Sequence, residues 1–222
     1  MKKLVIQDSS TIRRKVYTHV REQILSGQIA PHERLIETKI AQEIGTSRTP
    51  VREALHNLEI EGLIQSIPRV GYQVKAISGE EVEEICQIRF IIEDQAARWA
   101  MEKAASKVIK ELRKNIDLTL ARVSKGEVRA FVDLDAQFHE IIARHSGSTR
   151  LLELAQTLRG HMLRYRVQSI YSKDTVLEAI KGHQGILKAI ERGDAKGLSQ
   201  AILIHLEESK RSILRYAIKT GE

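Results

Sequence analysis

Apolar residues recur once per helical turn from the start of the chain. Ile12, Val16, Val20 and Ile24 share one face of "STIRRKVYTHVREQILSG", which predicts a first helix that Ser10 can cap and Gly27 can end. "ETKIAQEIG" predicts a second, short helix closed by Gly45. "SRTPVREALHNLEIEG" predicts a third, with Ser47 as N-cap and Pro50 in the first turn, where a missing N–H costs nothing. The pattern then changes period. "LIQSIPRVGYQV" alternates apolar and polar positions around a turn at Pro68 to Gly71, which predicts a β-hairpin. Three helices and a hairpin, with a short turn between the second and third helices, describe a winged helix-turn-helix.

Beyond residue 77 the stretches are longer and all three prolines lie behind. Helical spacing predicts six helices, at about 79–104, 107–125, 127–147, 149–172, 174–192 and 194–219, each boundary good to ~2–4 residues. "SGEE" at 78–81 fits a capping box, and "ERGD" at 191–194 a tight turn between helices. The expected fold is therefore mainly α: a winged helix-turn-helix over residues 1–76 and an all-helical bundle over 77–222.

Composition narrows the setting. The chain has no run of about eighteen apolar residues, so no transmembrane helix is expected. "MKKLVIQDSS" offers only a three-residue apolar run, too short for a signal peptide. The lone Cys86 cannot form an intrachain disulfide and suits a reducing compartment, so the expected location is the cytoplasm. Residues 1–76 hold twelve Lys and Arg against eight Asp and Glu, the remainder 24 against 21. The excess per residue is about two and a half times as high in the first part, a modest pointer to nucleic acid.

The third helix sharpens that pointer. Arg48 and Arg52 are four residues apart near its start and project from one face. Val51, Leu55 and Leu58 take another face and can pack on Ile40, Ala41 and Ile44, while Glu59 and Glu61 are held at the far end. A recognition helix that points its N-terminal end into the major groove needs this polarity. Thr46, Ser47 and Thr49 add hydroxyl donors for the DNA backbone, Arg69 at the hairpin tip can run alongside an adjacent groove, and Gly71 lets backbone approach closely. Two arginines on a lone helix would be read as a solvated face; three helices, a wing and segregated acids outweigh that.

"ERLIETKIAQEIGTSRTPVREALHNLEIEGLI" at 33–64 resembles the DNA-binding region of the GntR family of bacterial transcription regulators, and "RVGYQV" resembles its wing. The resemblance implies that Arg34, Arg48, Thr49, Arg52 and Gly71 fall at DNA-contacting positions. Arg34 rests on the resemblance alone.

The helical part raises a different question. Phe131, Asp135, Phe138 and Ile142 form a stripe that should face a core, with His139 beside it. His183 sits amid Val176, Ile180, Leu187 and Ile190; His205 follows Leu198 and Ile202, ahead of Ser209 and Tyr216; Arg89 interrupts Val82, Ile85, Ala96 and Trp99. One histidine on an apolar face is ordinarily a satisfied core residue. Three helices that each supply such groups are another matter, because unpaired buried imidazoles and carboxylates are costly. Asp135, His139, His183 and His205 around one divalent ion would satisfy them all. Such a set favours Zn²⁺, Ni²⁺, Mn²⁺ or Fe²⁺, with zinc the expected ion in purified protein, over Mg²⁺ or Ca²⁺. His161, in a stripe with Leu154, Leu158 and Tyr165, ranks as a second-line pocket residue.

This part resembles the FCD effector domain of the FadR-type GntR subfamily through "DLDAQFHEIIARHSGSTRL", "GHQGILKAIERGD" and His205. The resemblance implies that Asp135, His139, His183 and His205 carry the metal, that a small carboxylate effector completes its shell, and that Arg89 binds the effector. Ser148 stands where that subfamily often has Asn, which leaves the effector contacts near it open.

The leading expectation is a regulator whose operator binding is controlled by a small organic acid beside a metal. A homodimer on a palindromic operator is expected, since one recognition helix reads too few base pairs. A regulator with the ion itself as signal is the alternative; Arg89 argues mildly against it. A metal-dependent hydrolase is a distant third, for want of a separate general base.

Overall fold

The computed structural model of the chain describes residues 9–25, 28–76, 78–169 and 173–220, with side chains described in these except at 9–11, 25, 160–169 and 216–220. Gly27 and the side chains of Ser10, His161, Tyr165 and Tyr216 therefore lie outside the described set. Two compact units emerge, Met1–Ile77 and Ser78–Glu222.

The first unit is built as α1 (Ser9–Leu25), β1 (Arg34–Leu35), α2 (Glu37–Ile44), α3 (Arg48–Ile60), β2 (Ile64–Ile67) and β3 (Gly71–Val74). Ser10 lies inside α1 rather than ahead of it. Val16, Val20 and Ile24 of α1 bury against Val51, Ala54, Leu55 and Leu58 of α3, as the apolar stripes require. Each of the valine, leucine and isoleucine side chains among them contributes roughly 1.5–3 kcal/mol. Two expected core residues stay outside: Ile12 is 46% and Ile44 38% exposed, because each sits at an end of its helix beyond the packed turns.

Gly45 ends α2 in the left-handed conformation, and its N–H and that of Thr46 return to the last turn of the helix. Ser47 takes the N-cap position of α3 with extended backbone, although its hydroxyl makes no capping hydrogen bond. The wing is a three-stranded antiparallel sheet in the order β1-β3-β2, with Arg34 opposite Gln73 and Leu35 opposite Tyr72. Gly71 is fixed by this sheet. Its φ is +122°, and a Cβ there would stand 2.9 Å from the Leu35 carbonyl oxygen.

The second unit is wholly helical among its described residues. It runs α4 (Gly79–Ser124), a 3-10 turn at Val128–Ala130, α5 (Phe131–His145), α6 (Thr149–Ser169), α7 (Lys173–Glu191) and α8 (Ala195–Thr220). Ser78 accepts a hydrogen bond from the Glu81 N–H at the start of α4. The two helices expected at 79–104 and 107–125 are one, bent where Ala104 takes φ −148° and ψ 27°. Neither glycine nor proline marks that bend. Helix α4 packs on α5, α6, α7 and α8, so it forms the spine of the bundle. The core joins Ala97, Ala100 and Leu112 of α4 to Phe138 of α5, Ile186 and Ile190 of α7, and Leu198 and Ile202 of α8. The four polar residues of the expected metal set face this same core.

Candidate functional site

All seven residues expected at a DNA surface lie in the first unit. Arg34, Ser47, Arg48, Thr49, Arg52 and Arg69 are exposed, and Gly71 is half-buried. Arg34 stands on the edge strand β1, and Arg69 at the hairpin tip has a φ of 64°. Arg48 and Arg52 begin and follow the first turn of α3, where free N–H groups and the helix dipole favour an anion.

A residue that sequence reading missed joins them. The Glu37 carboxylate accepts hydrogen bonds from Arg48 Nη2 at 3.1 Å and from Arg52 Nε and Nη2 at 3.0 and 3.1 Å. The Arg52 hydrogen bond, with Arg48, holds Glu37 below the usual carboxylate range against the opposing pull of partial burial. Helical periodicity within α3 shows the two arginines sharing a face. It carries no sign of an acid reaching across from α2.

The second site lies inside the bundle. Asp135 and His139 come from α5, His183 from α7 and His205 from α8; all four are at most 5% exposed. One ligand atom from each can be chosen so that all lie within 4.8 Å of one another. His139 Nε2 is 3.3 Å from His205 Nε2, and Asp135 Oδ1 is 3.4 Å from His183 Nε2 and 3.9 Å from His139 Nε2. Two donors each about 2.1 Å from a tetrahedral ion stand about 3.4 Å apart, so this donor set fits a small divalent transition metal. Phe138 stacks on the His183 ring, centroids 3.8 Å apart and planes 9° from parallel, which fixes that imidazole. Gly182 fixes another, since a Cβ on it would stand 2.5 Å from His205 Nδ1.

Glu93 of α4 completes the arrangement. Its Oε2 lies 2.9 Å from His139 Nδ1, and its Oε1 accepts from Arg89 Nε at 2.8 Å. Burial pushes the Glu93 carboxyl up, but Arg89 and His139 outweigh it and hold the group well below its ordinary range. Burial pushes His139 down despite Glu93, and so favours the neutral ring that a metal needs. The anionic Glu93 then accepts a hydrogen bond from the Nδ1–H, which leaves the Nε2 lone pair facing the other three ligand side chains.

Arg89 is 2% exposed, and its Nη1 has no hydrogen-bond partner among the described residues. Arg159 of α6 donates through Nη1 to the Ala136 carbonyl, while its buried Nη2 likewise has no partner. A narrow cavity of ≈ 10 Å³, lined by Glu93, His139 and Arg159 with Ile142 and Ile202, adjoins the cluster. Arg159 escaped sequence reading because it sits beside the Leu154–Leu158 stripe rather than on it. Glu93 was visible only as a partner for Arg89. Ser148 caps α6 through its hydroxyl, which accepts from the Leu151 N–H at 3.2 Å.

Residues 84–208 match the FCD domain, and residues 12–74 match the bacterial regulatory proteins of the gntR family. The chain is 26% identical over 208 residues to the HTH-type transcriptional regulator YdhC of Bacillus subtilis (strain 168), covering 93% of this chain and 92% of that one. It is also 26% identical over 208 residues to the HTH-type transcriptional repressor RspR of Escherichia coli (strain K12), covering 94% and 91%. Among solved structures, a putative transcriptional regulator GntR from Rhodococcus sp. RHA1 superposes with a TM-score of 0.72 at 20% identity, over 92% of this chain and 98% of that one.

Proposed function

The chain belongs to the GntR family of bacterial transcription regulators with an FCD domain, and we propose that a small organic acid bound beside a divalent metal in the helical unit controls its binding to DNA. The regulator assignment removes the hydrolase alternative, since the family and its relatives are regulators rather than enzymes.

The observation that carries the proposal is the buried set Asp135, His139, His183 and His205 with two cations next to it. Arg89 and Arg159 each keep a buried N–H-bearing nitrogen without a partner among the described residues. A buried guanidinium left short of acceptors is costly, and a carboxylate is the group its fork geometry matches. The ion would supply a Lewis-acidic point for the same acid. Asp135 and the three imidazoles would hold it, and Glu93 orients His139 toward it. In the DNA-reading unit, Arg34, Arg48, Arg52 and Arg69 supply base and phosphate contacts, and Ser47 and Thr49 supply short donors. A homodimer reading a palindromic operator, and a cytoplasmic location, go with this reading; no described helix is long and apolar enough to cross a membrane.

One observation favours the ion itself as the signal. The cavity beside His139 has room for about one water, so an organic acid needs its walls to move. The experiment compares DNA binding by metal-stripped, metal-loaded, and metal-loaded protein with a panel of small carboxylates. Control by an acid predicts a change only in the third state for at least one acid. A change between the first two states, with none in the third, would favour the ion.

A further inference from the structure

Glu37 stands apart from the other acids of the first unit. It is one carboxylate shared by both arginines at the start of the recognition helix. We propose that Glu37 is a positioning residue for base reading: it grips Arg52 by one edge, presents the other edge to a guanine, and lowers the pull of this surface on phosphates. The proposal rests on the reading of Arg48 and Arg52 as DNA contacts.

Geometry is the first support. Glu37 Oε1 takes Arg52 Nε at 3.0 Å and Oε2 takes Arg52 Nη2 at 3.1 Å, a bidentate hold on the side of the guanidinium. A guanidinium has five N–H donors, so this leaves both hydrogens of Nη1 and the second of Nη2. Those form the end-on fork, whose spacing suits the O6 and N7 acceptors of a guanine. Arg48 gives Glu37 only Nη2, at 3.1 Å, and keeps Nε and Nη1 for other acceptors.

Exposure is the second. The Glu37 side chain is 17% exposed, against 58% for Arg48 and 59% for Arg52. The anchor is set in the protein and the forks reach solvent. An unanchored arginine of that exposure samples many rotamers and can turn to whichever phosphate is nearest.

Charge is the third. Two arginines with one carboxylate present one net positive charge instead of two. Non-specific affinity follows the number of phosphates neutralised, whereas base reading follows the placement of donors. Glu37 therefore weakens the first and supports the second. The bland alternative is an acid in the first turn of α2 that only complements the helix dipole. That role needs no contact with either arginine.

The test uses the full-length protein and Glu37→Gln, which keeps the shape and removes the charge. A duplex enriched from a random-sequence pool by the wild type serves as the specific probe, and an unrelated duplex of equal length as the non-specific one. Glu37→Gln is expected to bind the unrelated duplex more tightly, with a steeper salt dependence. The ratio of specific to non-specific affinity should fall about tenfold or more. Re-enrichment with the variant should relax one guanine per half-site, the same one relaxed by Arg52→Ala. Equal tightening on both duplexes with unchanged base preference would overturn the proposal and leave Glu37 as a charge only. Equal weakening on both, with a lowered melting temperature, would overturn it in favour of a structural role. A wild type that enriches no sequence would bring down the DNA-contact reading and this inference together.

Discussion

Glu93 meets Nδ1 of His139 at 2.9 Å, so a carboxylate on α4 decides which face of an α5 histidine is offered to the buried cluster. Replacing Glu93 with Gln keeps the size and weakens that hold. Loss of an outer partner of a metal-ligating histidine typically costs about 10–100-fold in affinity. Competition between the protein and a chelator for Zn²⁺ or Ni²⁺ should show a loss of that size in Glu93→Gln, with helical content unchanged by circular dichroism. Equal affinities in both proteins would mean that Glu93 does not orient His139 for metal binding.

Gly182 gives a test from the other side. A methyl at this position would stand 2.5 Å from His205 Nδ1 and 3.2 Å from two further atoms of that side chain. Gly182→Ala should displace the ring and reduce metal uptake to below one ion per chain. Gly185, on the same helix, has nothing within 4 Å of such a methyl. Gly185→Ala should bind metal normally and gain stability of up to about 1 kcal/mol from helix propensity. Metal content and melting temperature, measured with and without the ion, read both effects. Full loading of Gly182→Ala would remove His205 from the ligand set.

Much of this was legible in the chain, and the gaps have physical causes. The stripes around Phe131, Ile180 and Leu198 identified α5, α7 and α8 and exposed Asp135, His139, His183 and His205 as polar intruders, because burial of such groups demands a partner. The long α4 was read as two helices because its amphipathic register is disturbed near Ala104, where the backbone bends without a helix-breaking residue. Glu37 and Arg159 were missed for a shared reason. Each acts across elements on a group that its own helical period does not see, so only the tertiary arrangement brings it to its partner. Ile12 and Ile44 erred in the opposite sense. Periodicity assigned them a buried face, but each lies past the last turn that its neighbour covers.

Tyr17 supplies a pH test of the first unit. Its hydroxyl donates to Glu61, tying α1 to the residue that ends α3. Burial, with the hydrogen bond to Glu61, pushes the Tyr17 hydroxyl up from 10.0 to about 12. The native protein thus keeps a proton that the unfolded chain releases at lower pH. This contribution is complete below about pH 10 and is lost as pH rises toward 12. Ultraviolet titration of tyrosinate should show a late-ionising tyrosine that is absent in Tyr17→Phe. The wild type should lose stability over that interval more steeply than the variant. Coincident alkaline melting profiles would show that the Tyr17–Glu61 tie contributes nothing.

The last test separates the two roles open to Arg89. Its Nε pairs with Glu93 at 2.8 Å, while its buried Nη1 has no partner among the described residues. The first contact needs a positive charge near Glu93; the second, if it meets an effector carboxylate, needs the planar fork. Lysine supplies the charge without the fork. Arg89→Lys should therefore keep Glu93 ionised, retain metal and bind DNA as the wild type does. A carboxylate that shifts wild-type DNA binding should lose that influence at the same concentration, because the ammonium cannot reproduce the bidentate geometry. Arg89→Ala would confuse the issue, since it leaves Glu93 buried beside His139 without its main counter-charge. DNA titrations on the metal-loaded proteins, with and without the acid, read the difference. If Arg89→Lys responds to the acid as fully as the wild type, Arg89 serves only to hold Glu93, and the acceptor for an effector must be sought at Arg159.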